Sequence, residues 1–151
     1  MVWLATCKRS SMNKILLALI LAAGLQADFE PEEESAASQV AVAKSAIEKK
    51  DWDGAQTALD KAESIEAGNK QIKIYRGALQ LAKKEYGDAV KTLEEAVEAA
   101  PDEPYGHYYL GLAHYGMKHP DKTVEHFQRF LALAPDAPEA ARVKSLLRSL
   151  R

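Results

Sequence analysis

The chain has 151 residues, 47% of them hydrophobic and 28% charged. That balance excludes a wholly disordered or fibrous protein and fits one domain, or a short repeat array with a tail. Twenty basic residues against 22 acidic give a formal charge of −2, so no basic field argues for nucleic acid as a partner, and the single cysteine excludes a disulfide framework or a Cys-rich zinc module.

Residues 1–27 differ from the rest. They hold Lys8, Arg9 and Lys14 and no acidic residue, followed by the apolar run Ile15-Leu16-Leu17-Ala18-Leu19-Ile20-Leu21-Ala22-Ala23 and a small-residue exit, Gly24-Leu25-Gln26-Ala27. A basic start, an apolar stretch of this length and a small-residue end are the parts of a secretory signal peptide. The run is short of the roughly 20 apolar residues that span a bilayer, and it lacks the polar face of a core helix. Met12 is a more natural start than Met1, because the basic and apolar parts then follow at once. Cleavage is expected after Ala27, with Gly24 as the alternative. Cys7 lies upstream of the apolar run and leaves with it, and the remaining chain carries 17 basic and 22 acidic residues, a charge of −5. The expected compartment is outside the cytoplasm, the periplasm if the source is bacterial, with no stable membrane insertion once the signal is cleaved. An uncleaved segment would instead make the chain a membrane-tethered adaptor.

Asp28-Phe29-Glu30-Pro31-Glu32-Glu33-Glu34 is acidic, has no apolar periodicity and reads, through residue 35, as a flexible leader. From residue 36 the chain repeats every 34 residues. Lys49-Lys50-Asp51-Trp52 returns as Lys83-Lys84-Glu85-Tyr86, Ala55, Leu59 and Ala62 return as Ala89, Leu93 and Ala96, Gly77 returns as Gly111, and Pro101 as Pro135. A fixed period in this range signals a solenoid. Each unit reads as two helices: about 36–49 and 53–66, then 70–84 and 88–100, then 104–117 and 121–134. Prolines punctuate the units at 101, 104, 135 and 138, and Asp102 and Asp136 stand where a carboxylate can cap the next helix. No stretch alternates as a β-strand does.

The 34-residue helix–turn–helix with small residues at fixed offsets resembles the tetratricopeptide repeat. Counting units as 36–69, 70–103 and 104–137, position 8 holds Ala43, Gly77 and Gly111, position 20 Ala55, Ala89 and Thr123, position 24 Leu59, Leu93 and Phe127, position 27 Ala62, Ala96 and Phe130, and position 32 Ala67, Pro101 and Pro135. The resemblance implies an all-α fold, a right-handed α-solenoid of three units closed by a C-terminal capping helix. Small residues let paired helices approach closely, and about three units are needed to bury a continuous core. Two positions depart from the family pattern. Arg76 stands where a leucine is usual, and Phe130 where alanine is usual, which suggests that the end of unit three packs against the C-terminal segment. In that segment, residues 138–151, Val143, Leu146, Leu147 and Leu150 share one helical face and Arg142, Lys144, Arg148 and Arg151 solvate the rest. A basic amphipathic helix of this kind could bind a membrane surface, but an array needs a polar end, so a cap is expected.

No glycine-rich phosphate loop, nucleophile elbow or H-E-x-x-H motif occurs; the expectation is no catalytic residue, no cofactor and no metal. All four histidines, His107, His114, His119 and His126, fall in unit three. They carry the alternative reading, a histidine-dependent metal-binding protein. His107 and His114 are two turns apart on one helix and cannot both reach one ion, and a zinc site needs three or four converging ligands.

The resemblance also implies a concave surface built from positions 2, 5, 9, 12 and 13 of each first helix. These are Ala37, Val40, Lys44, Ile47 and Glu48, then Gln71, Ile74, Ala78, Leu81 and Ala82, then Tyr105, Tyr108, Leu112, Tyr115 and Gly116. Ile74, Leu81, Tyr105, Tyr108, Leu112 and Tyr115 are the candidate partner-binding residues, because tyrosine combines contact area with a polar handle. No cluster of Lys and Arg lines this surface, which argues against a clamp for acidic peptide tails. The function expected is a non-catalytic protein-interaction or scaffold module of the cell envelope that binds an apolar or aromatic segment of another protein.

Overall fold

The computed structural model describes residues 34–150. The signal segment 1–27 and residues 28–33 of the leader lie outside the described residues. Among those described there are seven helices and no strand: α1 (Ala36–Glu48), α2 (Trp52–Ile65), α3 (Lys70–Ala82), α4 (Tyr86–Ala99), α5 (Pro104–Gly116), α6 (Pro120–Leu133) and α7 (Ala140–Ser149). Each pair α1/α2, α3/α4 and α5/α6 is one repeat unit. None of these helices is long and apolar enough to cross a membrane.

The turn inside each unit is built the same way three times. At the end of α1, the Asp51 N–H donates to the Ala46 carbonyl and the Lys50 N–H to that of Ile47. The same pair of bonds joins Glu85 to Gln80 and Lys84 to Leu81, and then His119 to His114 and Lys118 to Tyr115. This is the Schellman arrangement, which satisfies the last carbonyls of a helix and needs a left-handed residue. Lys50, Lys84 and Lys118 hold that conformation, with φ of 62°, 67° and 60°.

Starts are set by caps. Ser35 accepts from the Ser38 N–H, Asp51 from Gly54 and Asn69 from Gln71, and Pro104 and Pro120 open α5 and α6, where a missing N–H costs nothing. The expected caps at Asp102 and Asp136 are not made. Glu103 and Glu139 are the N-cap residues of α5 and α7, and neither side chain bonds to its helix. Asp102 instead pairs with Arg129 at 3.5 Å.

Successive first helices touch, α1 on α3 and α3 on α5, whereas α2, α4 and α6 do not touch one another. The array therefore curves, with α1, α3 and α5 on the inner face. Leu59, Leu93 and Phe127 are fully buried between the paired helices. Small residues make room for them: a Cβ on Gly77 would collide with the Leu93 side chain, and one on Gly111 would lie 2.5 Å from the Phe127 ring. Arg76 leaves unit two intact because it is half-exposed and pairs with Asp60 of unit one at 3.0 Å. Phe130 is fully buried with Tyr108, Phe127 and Val143, and Leu146 and Leu147 pack onto the same cluster. Through these residues α7 docks on the end of unit three.

Candidate functional site

On the inner face, aromatic rings from two units meet. Tyr75 of α3 lies edge-on to Tyr109 of α5 with ring centroids 6.1 Å apart, and Tyr105 is 6.4 Å from Tyr109. Lys44 of α1 reaches across to place its ammonium 6.0 Å from the Tyr105 ring centre. The Tyr105 hydroxyl donates to Glu139, just before α7, at 3.2 Å. All three rings are half-buried, so each is anchored below and open above. Burial first, and then the carboxylates of Glu103, Glu139 and Glu48, raises the Tyr75 hydroxyl pKa above its usual value. Tyr109 is raised as well, by burial and then by its tyrosine neighbours and Glu139. Both hydroxyls therefore stay protonated.

The six candidate residues do not form one stripe. Ile74, 2% exposed, belongs to the buried cluster with Leu93 and Leu110, and Tyr108, 6% exposed, to the cluster with Phe130 and Val143. The expectation that Tyr108 faces an open groove is therefore corrected: α7 and Phe130 close over it, with Tyr108 and Phe130 centroids 5.2 Å apart. Leu81 and Leu112 are half-buried against those same two clusters. Tyr105 lies in the tyrosine floor. Tyr115 is 44% exposed and lines a separate cleft of about 560 Å³ with Tyr86, Gly116, His119, Thr123 and Leu150, the residue that ends the cap helix. Gly116 is packed beneath the Tyr86 ring, where a Cβ would lie 2.5 Å away.

Sequence reasoning missed Tyr75 and Tyr109, which stand at position 6. The signal was available, because 75 and 109 are one period apart. It also missed the role of His126. His107 and His114 on α5 are seven apart, as are His119, the N-cap of α6, and His126 on α6, so two ladders face each other across the helix pair. His126 stands between His107 and His114, with ring centroids 5.6 Å from each. His107 Nε2 lies 3.0 Å from the Pro101 carbonyl, which only accepts, so that nitrogen carries hydrogen. The facing Nδ1 atoms of His107 and His126 are 3.3 Å apart and share one hydrogen between them. Neither ring nitrogen of buried His114 has a partner, nor does Oε1 of Gln80, one period earlier. Among the described residues no three His, Cys, Asp or Glu side chains converge as a metal site would require.

A helix-pair solenoid with this period, these small residues and a first-helix inner face is a repeat scaffold. Tetratricopeptide repeat family models match residues 46–112 and 105–137, and the chain belongs to that family. It is 34% identical over 103 residues to cell division cycle protein 27 homolog A of Arabidopsis thaliana, a match covering 68% of this chain and 14% of that protein's length. Among solved structures it resembles PcrH from Pseudomonas aeruginosa, with a TM-score of 0.63, 19% identity and coverage of 84% of this chain and 95% of that one. It also resembles the first tetratricopeptide domain of Spaghetti (RPAP3) bound to an HSP90 peptide, with a TM-score of 0.65, 16% identity and coverage of 76% and 91%. A second PcrH structure holds the chaperone-binding region of PopD. At these identities the likeness to the solved structures is one of fold.

Proposed function

We propose that the chain is a non-catalytic interaction module of the cell envelope that holds a segment of a partner protein along its inner face. The observation that carries this reading is the floor of half-buried rings formed by Tyr75, Tyr105 and Tyr109. Anchored aromatics with one open side offer contact area at little cost in side-chain entropy. The peptide on the Spaghetti (RPAP3) domain and the PopD region on PcrH support a segment-binding role for this fold. The envelope assignment rests on the basic and apolar character of residues 1–27.

A photo-crosslinking amino acid at Tyr105 should trap a discrete partner in cells, while the same group at Lys91, exposed on α4, should not. Equal adducts at both positions, or none at Tyr105, would reject the inner-face site. Fractionation tests the compartment separately. The chain should appear in the soluble periplasm with a start near Asp28, and a cytosolic product that keeps Met1 or Met12 defeats export. An intact chain in the membrane fraction would favour the tethered adaptor.

A further inference from the structure

We propose that the partner segment carries a basic side chain, a lysine or arginine, which the inner face receives over the tyrosine floor formed by Tyr75, Tyr105 and Tyr109 beside Glu103 and Glu139. This rests on the inner-face reading above and specifies the chemistry of the occupant. The faces of aromatic rings attract ammonium and guanidinium groups, and this floor already holds one: Lys44 extends from α1, two units away, to the Tyr105 ring. Lys44 is exposed, so its ammonium reaches the ring by extension across the face and not because packing forces it there.

The carboxylates around the rings are not consumed elsewhere. Glu103 and Glu139 are N-cap residues that do not cap their helices. Neither they nor Glu48 forms an ion pair among the described residues. Glu139 accepts one hydrogen bond, from Tyr105, and a carboxylate has room for several more. The charges that act on the Tyr75 hydroxyl are Glu103, Glu139 and Glu48, all negative. The cation Arg142 acts on Tyr108, which lies beneath the cap helix and is not one of the floor rings. Glu139, bonded to Tyr105, and the carboxylates acting on Tyr75 thus set negative charge beside a π surface. A cationic side chain complements that arrangement, a neutral one leaves it unpaired, and an acidic one is repelled.

The test uses the full chain and three labelled nonapeptides in which leucine alternates with lysine, with glutamine or with glutamate, read by fluorescence anisotropy. The lysine peptide should bind about tenfold more tightly than the glutamine peptide, and the glutamate peptide should bind least. Glu103→Gln with Glu139→Gln should bring the lysine and glutamine peptides to the same affinity, while the amide oxygen introduced at position 139 still accepts from Tyr105. Lys44→Met should tighten the lysine peptide, because the internal ammonium no longer competes, a response that a purely structural role for Lys44 would not give. Equal binding of the lysine and glutamine peptides, preference for glutamate, or a lysine preference that survives the paired glutamine changes would overturn the inference, as would failure of all three to bind. If all three bind equally and all weaken in Tyr105→Leu, the inner-face site stands and only the cation falls. If Tyr105→Leu leaves binding untouched, the contact lies elsewhere and both readings fall.

Discussion

Units one and three share a backbone and differ in what fills it. Both have two helices of 13 and 14 residues, the same Schellman turn and a lysine in the left-handed position. Unit one packs on Ala43, Ala46, Ala55, Ala58 and Ala62 around a single Leu59. Unit three puts Phe130 where unit one has Ala62, His114 where it has Ala46, and a glycine where it has Ala43, with Phe127 and Tyr108 beside them. The frame is thus set by turn chemistry and by where small residues fall, and each unit fills it with its own matched set of side chains. Alanines make unit one a brace. Rings make unit three an anchor for the cap helix and, with Tyr75, a floor for a ligand.

The contrast breaks most sharply at position 27. Phe130→Ala should cost about 3–5 kcal/mol, because a fully buried ring touching Tyr105, Tyr108 and the cap helix leaves a cavity. Ala62→Phe, which imposes unit three's choice on unit one, should cost about 1–3 kcal/mol by overpacking. Urea denaturation measures both. A Phe130→Ala loss below about 1 kcal/mol would mean that α7 is not held through this ring. Position 8 gives the next effect. Gly111→Ala should destabilise by about 1–3 kcal/mol, because its Cβ would sit 2.5 Å from Phe127, whereas unit one carries a buried alanine at the same place. A neutral or stabilising Gly111→Ala would show that Phe127 has room to yield.

Acid should separate the units as well. Burial first, then the positive charge of neighbouring His107 and His114, lowers His126 from 6.5 to about 4, with Glu125 opposing and Lys122 assisting. His114 is lowered too, by burial and then by His119 and Lys122, against Glu94 and Glu125. The unfolded His126 ring therefore takes its proton near pH 6.5 and the folded ring near 4. Between those values the unfolded chain binds more protons, so stability falls as pH drops and is unaffected above that window. Allowing for solvent at a half-buried ring, the loss from pH 7 to 4 should be about 1–2 kcal/mol. Hydrogen exchange should show it in α5 and α6 before α1 and α2. His126→Gln should flatten the dependence, and an unchanged pH profile would remove the histidine column from the account.

The architecture was legible because the 34-residue period fixes both the helices and the small residues between them. Each helix lies within about two residues of its expected span, which is the usual blur at helix ends. The site was legible only in part. Tyr105 and Tyr115 keep an open side, but Ile74 and Tyr108 share the stripe spacing and are buried. Spacing on one helix says which residues point the same way, while burial depends on what the next element brings. For Ile74 that element is α5, where a Cβ on Gly106 would come 3.8 Å from the isoleucine side chain; for Tyr108 it is Phe130 together with α7. The histidine column was hidden for the same reason, since it requires two helices in register. Asp102 and Asp136 failed as caps because each lies too far ahead of its helix, whose N-cap positions are Glu103 and Glu139.

The smallest expected effect tests whether the units really share one backbone. Lys50, Lys84 and Lys118 sit 34 residues apart with φ between 60° and 67°, a region that costs an L-residue about 1–2 kcal/mol. Glycine relieves that cost but loses more freedom on folding, so each Lys→Gly change should give a net gain of about 0.5–1 kcal/mol. All three side chains are exposed, and none takes part in the described ion pairs, so no ion pair is given up. The gains should match across units that differ so much in their cores, because the turn bonds are the same in each. Thermal unfolding of the three single variants would show equal upward shifts. A gain at Lys50 and Lys84 but not at Lys118 would mean that the rings of unit three reach into its turn, and that frame and filling are coupled there after all.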